Sequence, residues 1–369
     1  SSDTHTTIDK ITYSSDTVAA LSNPLRTSVR YAGGVSARSN YLPQRAAATP
    51  TPQTAPVPIS NLSNAGYFGG GASSPDYSTM DKLTYSTDTT AAVPGAALSA
   101  ARRGAGATAS SDAGYFGGGY SGGPYWSRTD KLTFSNDTTA EVPSAALSVT
   151  RYAMAATSSS TAGYFAGGWS PGALSLVDKL TFSDDTTAAV PSAALSDTPR
   201  FFGATGDLTA GYFGGGFQGS AISTMDKVTF STDTRSTVPG AALSSIRYRH
   251  NSAGNGDAGY FGGGKNPGLT PGFVTTMDKL TFSNETTAEV PGAALSSARQ
   301  DLGATGNATN GYWAGGYNPH HSTTDKLSYA TETTAAVSSA SLSVARGYSY
   351  GASARANALP TTSPSPVIV

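Results

Sequence analysis

Side chains able to do bond-making chemistry are few in this sequence and lie far apart. The histidines are His5, His250, His320 and His321, with no carboxylate cluster beside any of them. Zinc binding and general-base work both need such convergence. His320 and His321 are adjacent, and neighbours in sequence rarely ligate one metal together. There is no cysteine, which excludes thiol nucleophiles, disulfides and thiolate-bound metals. Segments such as Ser183-Asp184-Asp185-Thr186 raise the question of calcium. That ion takes roughly six to eight oxygens, and each segment offers one or two carboxylates, so a structural turn is favoured. The Gly-Gly-Gly runs end strands and open no helix, so no helix N-terminus faces a phosphate. With no nucleophile–base pair, the expectation is no enzyme, no cofactor and no metal. The sequons at Asn61, Asn136, Asn284 and Asn307 matter only if the source secretes glycoproteins.

The chemistry that remains is recognition. Aromatic and His side chains recur in Gly/Pro-rich segments: Tyr77, Tyr120, Tyr125, Trp126, Trp169, Phe217, Phe273, Tyr317 and His320. Exposed Trp and Tyr dominate binding hot spots and stack on sugars. The alternative is that they pack on the scaffold beneath them.

An internal repeat must position these residues. Gly-Tyr-Phe-Gly-Gly-Gly or a close variant starts at Gly66, Gly114, Gly163, Gly211, Gly259 and Gly311, in steps of 48, 49, 48, 48 and 52. Asp-Lys recurs seven times, at Asp9, Asp81, Asp130, Asp178, Asp226, Asp278 and Asp325. An Arg after Ala-Leu-Ser recurs at Arg102, Arg151, Arg200, Arg247, Arg299 and Arg346, with Arg26 or Arg30 as a first copy.

Each unit reads as four short strands, a to d. Strand a follows the Arg, and strand b is Ala-Gly-Tyr-Phe-Gly-Gly. Strand c is Asp-Lys-Leu-Thr-Phe-Ser, whose Leu132 and Phe134 alternate with Lys131 and Thr133 as a strand requires. An Asp/Asn turn leads to strand d, Thr-Ala-Ala-Val. Pro94, Pro143, Pro191, Pro239 and Pro291 rule out a helix in the Ala-rich stretch that follows. The strand-c Asp is expected to bond backbone and the Lys to lie at the surface. Tyr67 and Phe68 should face opposite neighbours.

A period of this length with four strands marks a propeller blade. The expected fold is therefore an all-β, seven-bladed β-propeller, one domain over 1–369. The ends should share one blade, strands c and d from Ile8 to Ala20 and strand a from Arg346 to Ala354. Strand b of that blade is missing, and the tail 355–369, ending Pro366-Val367-Ile368-Val369, is its candidate. A Pro-rich insertion at 39–63 reads as a polyproline-like arm held against a partner or as a surface loop.

Net charge is -1 and charged residues make up only 13%. No field exists to attract nucleic acid. No apolar run is long enough for a membrane helix, so no membrane insertion is expected. The chain opens Ser1-Ser2-Asp3 without Met, which implies a processed product or a piece of something longer.

The Gly-Gly doublet, the aromatic pair before it and the strand-a Arg resemble kelch repeats. The Asp-Lys-Leu-Thr-Phe-Ser and Ala-Gly-Tyr-Phe-Gly-Gly-Gly blocks are still more similar to repeats in structural and tail-associated proteins of marine cyanobacterial phages. Nearly the whole chain takes part, except the insertion and the last dozen residues. The outer-strand Trp usual in kelch blades is replaced by Thr-Thr-Ala-Ala-Val. The copper-radical site of the galactose-oxidase relatives needs a Cys, so that activity does not carry over. What the resemblance implies is a non-enzymatic virion protein, extracellular or on the particle, that presents a loop face to other virion subunits or to a host-surface glycan or protein. The alternative is a soluble multivalent lectin. Either could belong to a larger homo- or hetero-assembly.

Overall fold

The structure is a computed structural model that describes residues 9–12, 17–20 and 64–353. It divides into two units, Ser1–Pro58 and Ile59–Val369. In the first, Asp9–Thr12 pairs antiparallel with Thr17–Ala20, Asp9 opposite Ala20 and Thr12 opposite Thr17. The insertion at 39–63 and the tail at 355–369 lie outside the described residues.

The second unit is a β-propeller of six blades, each four antiparallel strands in the order a-b-c-d. In blade two these are Gly106–Ala109, Ala113–Gly117, Thr129–Thr133 and Thr138–Glu141. Blade three runs from Ala155 to Ala189, blade four from Gly203 to Thr237, blade five from Asn251 to Glu289 and blade six from Gly303 to Ala336. Strand b is buried along its length in blade two, and strand d is largely exposed. After each strand d comes a three-residue 3-10 turn, as at Pro94–Ala96 and Pro143–Ala145, where the Ala-rich stretch resists a helix. No helix among the described residues is long and apolar enough to cross a membrane.

Blade one corrects two expectations, the number seven and the way the ends meet. Its strand a is Tyr350–Ser353, paired with Ala65–Gly69, followed by Met80–Thr84 and Thr89–Ala92. The C-terminal strand therefore joins the first Gly-Tyr-Phe block, not the Asp9–Ala20 hairpin. Strand b needs an inner partner and occurs six times, so six blades form. The hairpin repeats the c–d register of a blade, Asp9 opposite Ala20 as Asp81 is opposite Ala92, without a, b partners among the described residues.

The seams explain why the count stops at six. In each blade the strand-b Tyr and strand-c Lys reach one carboxylate in the c–d turn of the next. Tyr67 donates to Asp137 at 2.6 Å, and Lys82 lies 2.7 Å from the same carboxylate. Blade six repeats the clamp on blade one, where Tyr312 and Lys326 hold Asp88, both at 2.6 Å. In blades five and six the turn residue is a glutamate, Glu285 and Glu332, clamped by Lys227 and Lys279 of the blades before them. The turn residue sits in the left-handed region, φ 54° at Asp137, which Asp tolerates better than most. The Tyr also stacks on the next blade's strand-c aromatic, Tyr67 on Phe134 at 5.3 Å and Tyr312 on Tyr85 at 5.3 Å. Phe68 packs the other way, against Tyr312 and Leu342. The Lys is thus paired and only partly exposed, not a free surface group.

Within a blade the Arg and Asp markers read each other. Arg102 and Asp130 are fully buried 2.9 Å apart, and Arg102 also donates to the Phe116 carbonyl at 3.0 Å. The same pair recurs at Arg151–Asp178, Arg247–Asp278, Arg299–Asp325 and Arg346–Asp81. Each Asp accepts a backbone N–H as well, Ser99 for Asp130 at 3.0 Å, as the sequence suggested. The triple glycine joins neighbours: Gly119 N–H donates to the Arg151 carbonyl at 2.8 Å. A Cβ on Gly118, at φ +69°, would stand 2.6 Å from that oxygen.

Asp130→Ala leaves the Arg102 charge buried and unpaired and should cost about 3–5 kcal/mol. Asp137→Ala, at the partly solvated seam, should cost clearly less. Urea unfolding of both variants checks the order. Ending the chain after Ser349 removes the inner strand of blade one and bares the edge of Ala65–Gly69. Size-exclusion chromatography should then show aggregation in place of the native species.

Candidate functional site

The d–a connectors build the site. One residue past the marker position, the chain bridges the b–c segment of the same face: Arg103 to Tyr120, Tyr152 to Trp169, Arg200 to Phe217, Tyr248 to Lys265 and Gln300 to Tyr317. The b–c and d–a segments therefore share one face, as expected for a propeller.

The next residue has positive φ in every blade: Gly104, Ala153, Phe201, Arg249, Asp301 and Tyr348, at φ 57–63°. Their backbones hydrogen-bond in sequence. Ala153 N–H donates to Gly104 O at 2.7 Å, Phe201 to Ala153 at 2.7 Å, and Arg249 to Phe201 at 2.6 Å. Asp301 donates to Arg249 at 2.8 Å, Tyr348 to Asp301 at 2.8 Å, and Gly104 to Tyr348 at 3.2 Å. The series returns to its start. Six equivalent backbones thus present six different side chains around one centre.

Above them is an open cavity of about 380 Å³. Tyr120 and Tyr125 enter it from the b–c loop of blade two, while Arg103, Tyr152, Phe201, Arg249 and Tyr348 come from connectors. Tyr125 stacks on Tyr152 at 5.3 Å and 10°, and Phe201 meets Tyr152 edge-on at 5.7 Å. Arg249 lies over Phe201 at 4.4 Å, pairs with buried Asp301 at 2.9 Å and donates to the Tyr348 hydroxyl. Arg103 pairs with Asp76 at 3.1 Å and lies over Tyr120 at 5.0 Å.

Arg200 departs from the marker role expected of it. The marker position in its blade is Pro199, after Ala194-Leu195-Ser196. Arg200 is displaced by one residue onto the loop face. It lies 4.2 Å from the Trp169 ring and 5.2 Å from Phe217, and no carboxylate pairs with it among the described residues. Asp226, left without a marker Arg, takes the Ser196 N–H at 2.7 Å and has Arg235 at 3.9 Å.

Beneath the mouth lies a chamber of about 60 Å³, lined in part by His250, Asp301 and Tyr350. Farther along, strand-a residues such as Thr108, Thr157, Thr205 and Thr305 line a space of about 120 Å³. Thr108 donates to the Thr157 carbonyl at 3.0 Å, so these hydroxyls join neighbouring blades. Burial pushes the Asp301 carboxyl up to about 6 against the pull of Arg249. Burial, with the Arg247 charge, holds the His250 imidazole down at about 3. Among the described residues no group of three or more His, Asp and Glu could hold a metal ion.

Of the aromatic residues singled out from sequence, Tyr120 and Tyr125 line the mouth. Trp126 lies beside it in a second groove, under Arg128 at 4.8 Å. Trp169 and Phe217 flank Arg200. The others do not line the mouth: Phe273 contacts Lys265, Tyr317 packs edge-on against His320 at 5.1 Å, and Tyr77 bonds Ser73 at 2.9 Å. Sequence reasoning missed Arg103, Tyr152, Phe201, Arg249 and Tyr348. Their signal was variation one and two residues after an otherwise constant Arg. Compared with known proteins, the sequence matches no family model and aligns with no curated protein.

Two buried groups make stability depend on pH in opposite senses. The folded-state value of His250 is depressed from 6.5, so its contribution is full above 6.5 and is lost as pH falls toward about 3. That of Asp301 is raised from 3.8, so its contribution is full below 3.8 and is lost as pH rises through about 6. The His250 shift is the larger, so acidification should destabilise on balance. Melting temperatures at about pH 7 and about pH 4.5 test this. His250→Gln should narrow the difference between them and Asp301→Asn should widen it.

Proposed function

We propose that this chain is a non-enzymatic adhesion module of a virion, a closed six-bladed ring that binds a host-surface partner through its loop face at the axial mouth. The observation that carries the reading is the contrast between scaffold and mouth. Clamp, marker pair and glycine block repeat nearly unchanged, while the equivalent left-handed positions carry Gly104, Ala153, Phe201, Arg249, Asp301 and Tyr348. A rigid scaffold that varies only where its loops converge is the usual arrangement of a binding protein. The open aromatic and cationic bowl offers stacking and hydrogen bonding, with no nucleophile–base pair for bond cleavage. The resemblance to phage structural repeats supplies the virion setting. A multivalent lectin with one weak site per blade gains no support from a mouth whose side chains each occur once.

Two measurements test the reading. Cryo-electron microscopy of the native source should find the chain on a particle, loop face outward. The labelled chain should bind host cells, and Tyr152→Ala should weaken that binding about tenfold, as truncating a central aromatic does. A free protein that ignores host cells, or binding indifferent to Tyr152→Ala, overturns it.

A further inference from the structure

We infer that the ligand of the mouth is an acidic saccharide chain that runs from the axial cavity across Tyr125 into the groove on blade two. The inference rests on the binding reading above and adds the chemistry and length of what is bound.

Length comes from Tyr125. It lines the axial cavity and also an adjoining groove of about 360 Å³, whose other walls include Trp126, Arg128, Glu141 and Thr150. One aromatic ring therefore belongs to two basins. A ligand filling only the mouth would leave Trp126 unused, although Arg128 lies over that ring at 4.8 Å and Glu141 steadies the guanidinium at 3.5 Å. An extended chain uses both.

Saccharide chemistry comes from the walls. Tyr120, Tyr125, Tyr152 and Tyr348 combine flat apolar faces with hydroxyls, which suits the C–H faces and hydroxyl rims of sugar rings. A peptide would seek a free sheet edge or a deep apolar hole. The free edges of the inner strands face one another around the narrow axial space below the mouth, where Thr108 already donates to the Thr157 carbonyl, and the bowl above is open and lined by phenols and guanidiniums.

Charge comes from an imbalance. Arg103 and Arg249 line the mouth, and Arg200 lies 5.9 Å from the ring of Phe201, which lines it too. Asp76 offsets Arg103 and Asp301 offsets Arg249. Arg200 has aromatic neighbours and no carboxylate among the described residues, as a result of the Pro199 displacement. A guanidinium stacked on Trp169 keeps its in-plane N–H groups free for a carboxylate or sulfate.

The test uses the full chain on an array of neutral, carboxylated and sulfated saccharides of one to eight units, followed by calorimetry on the best binder and its neutral methyl ester or desulfated form. Affinity should rise at least tenfold from the shortest to the longest chains. Neutralising the ligand should lower it about tenfold, as loss of a charge-assisted hydrogen bond does. Arg200→Gln should weaken the acidic form and leave the neutral form unchanged. Trp126→Ala should weaken long chains and spare short ones. Equal affinity for charged and neutral forms, or no gain with length, overturns the inference. If no saccharide binds while Tyr152-dependent binding to host cells persists, the inference fails and the adhesion reading stands. If Tyr152→Ala leaves host-cell binding intact, the adhesion reading fails with it.

Discussion

Six backbone hydrogen bonds around the axis, each from one connector to the one before it, constrain everything built on the loop face. They require the left-handed region at Gly104, Ala153, Phe201, Arg249, Asp301 and Tyr348. For a residue with a Cβ that conformation costs roughly 1–2 kcal/mol. A backbone hydrogen bond returns about 1 kcal/mol net. The circuit therefore does not hold itself together. It exists because the blades press the connectors into place, and it turns that pressure into fixed directions for the side chains at the mouth.

What presses the blades together is a set of contacts that each span a seam. The Tyr–Lys–carboxylate clamp joins strands b and c of one blade to the outer turn of the next. The glycine block joins the same two blades nearer the axis through the carbonyl of the marker residue. These contacts act at different radii, so a blade cannot pivot about either one. The buried Arg–Asp pair works differently. It is internal to a blade and ties connector to strand c, which sets the height at which the following residues emerge. A buried ion pair adds little net stability over an apolar substitute. Its value here is geometric, since the guanidinium also holds the strand-b carbonyl.

Blade four shows how a repeat becomes asymmetric without losing its fold. Pro199 removes the internal ion pair, and the Ser196 N–H and Arg235 partly compensate Asp226. The displaced Arg200 becomes a surface cation on an aromatic bed. A change that leaves the four strands of the blade paired alters the chemistry of the face.

The residues by themselves determine the blade. Alternation in Asp-Lys-Leu-Thr-Phe, the prolines after strand d and the Asp turns are local signals, so strands, turns and the four-strand period are legible without tertiary structure. The opposite facings of Tyr67 and Phe68 follow from the same period of two. The number of blades is not local. Asp9-Lys10 and Asp81-Lys82 look alike in sequence, and only the pairing of Tyr350–Ser353 with Ala65–Gly69, and of Lys326 with Asp88, decides that there are six blades and which repeat is the first of them. The mouth is not local either. Tyr120 and Tyr125 announce themselves as aromatics in a glycine-rich loop, whereas Tyr152, Phe201, Arg249 and Tyr348 come from four connectors, one or two repeats apart in sequence. They meet only because each repeat turns the chain by one blade, and a rotation about an axis leaves no trace in nearest-neighbour patterns.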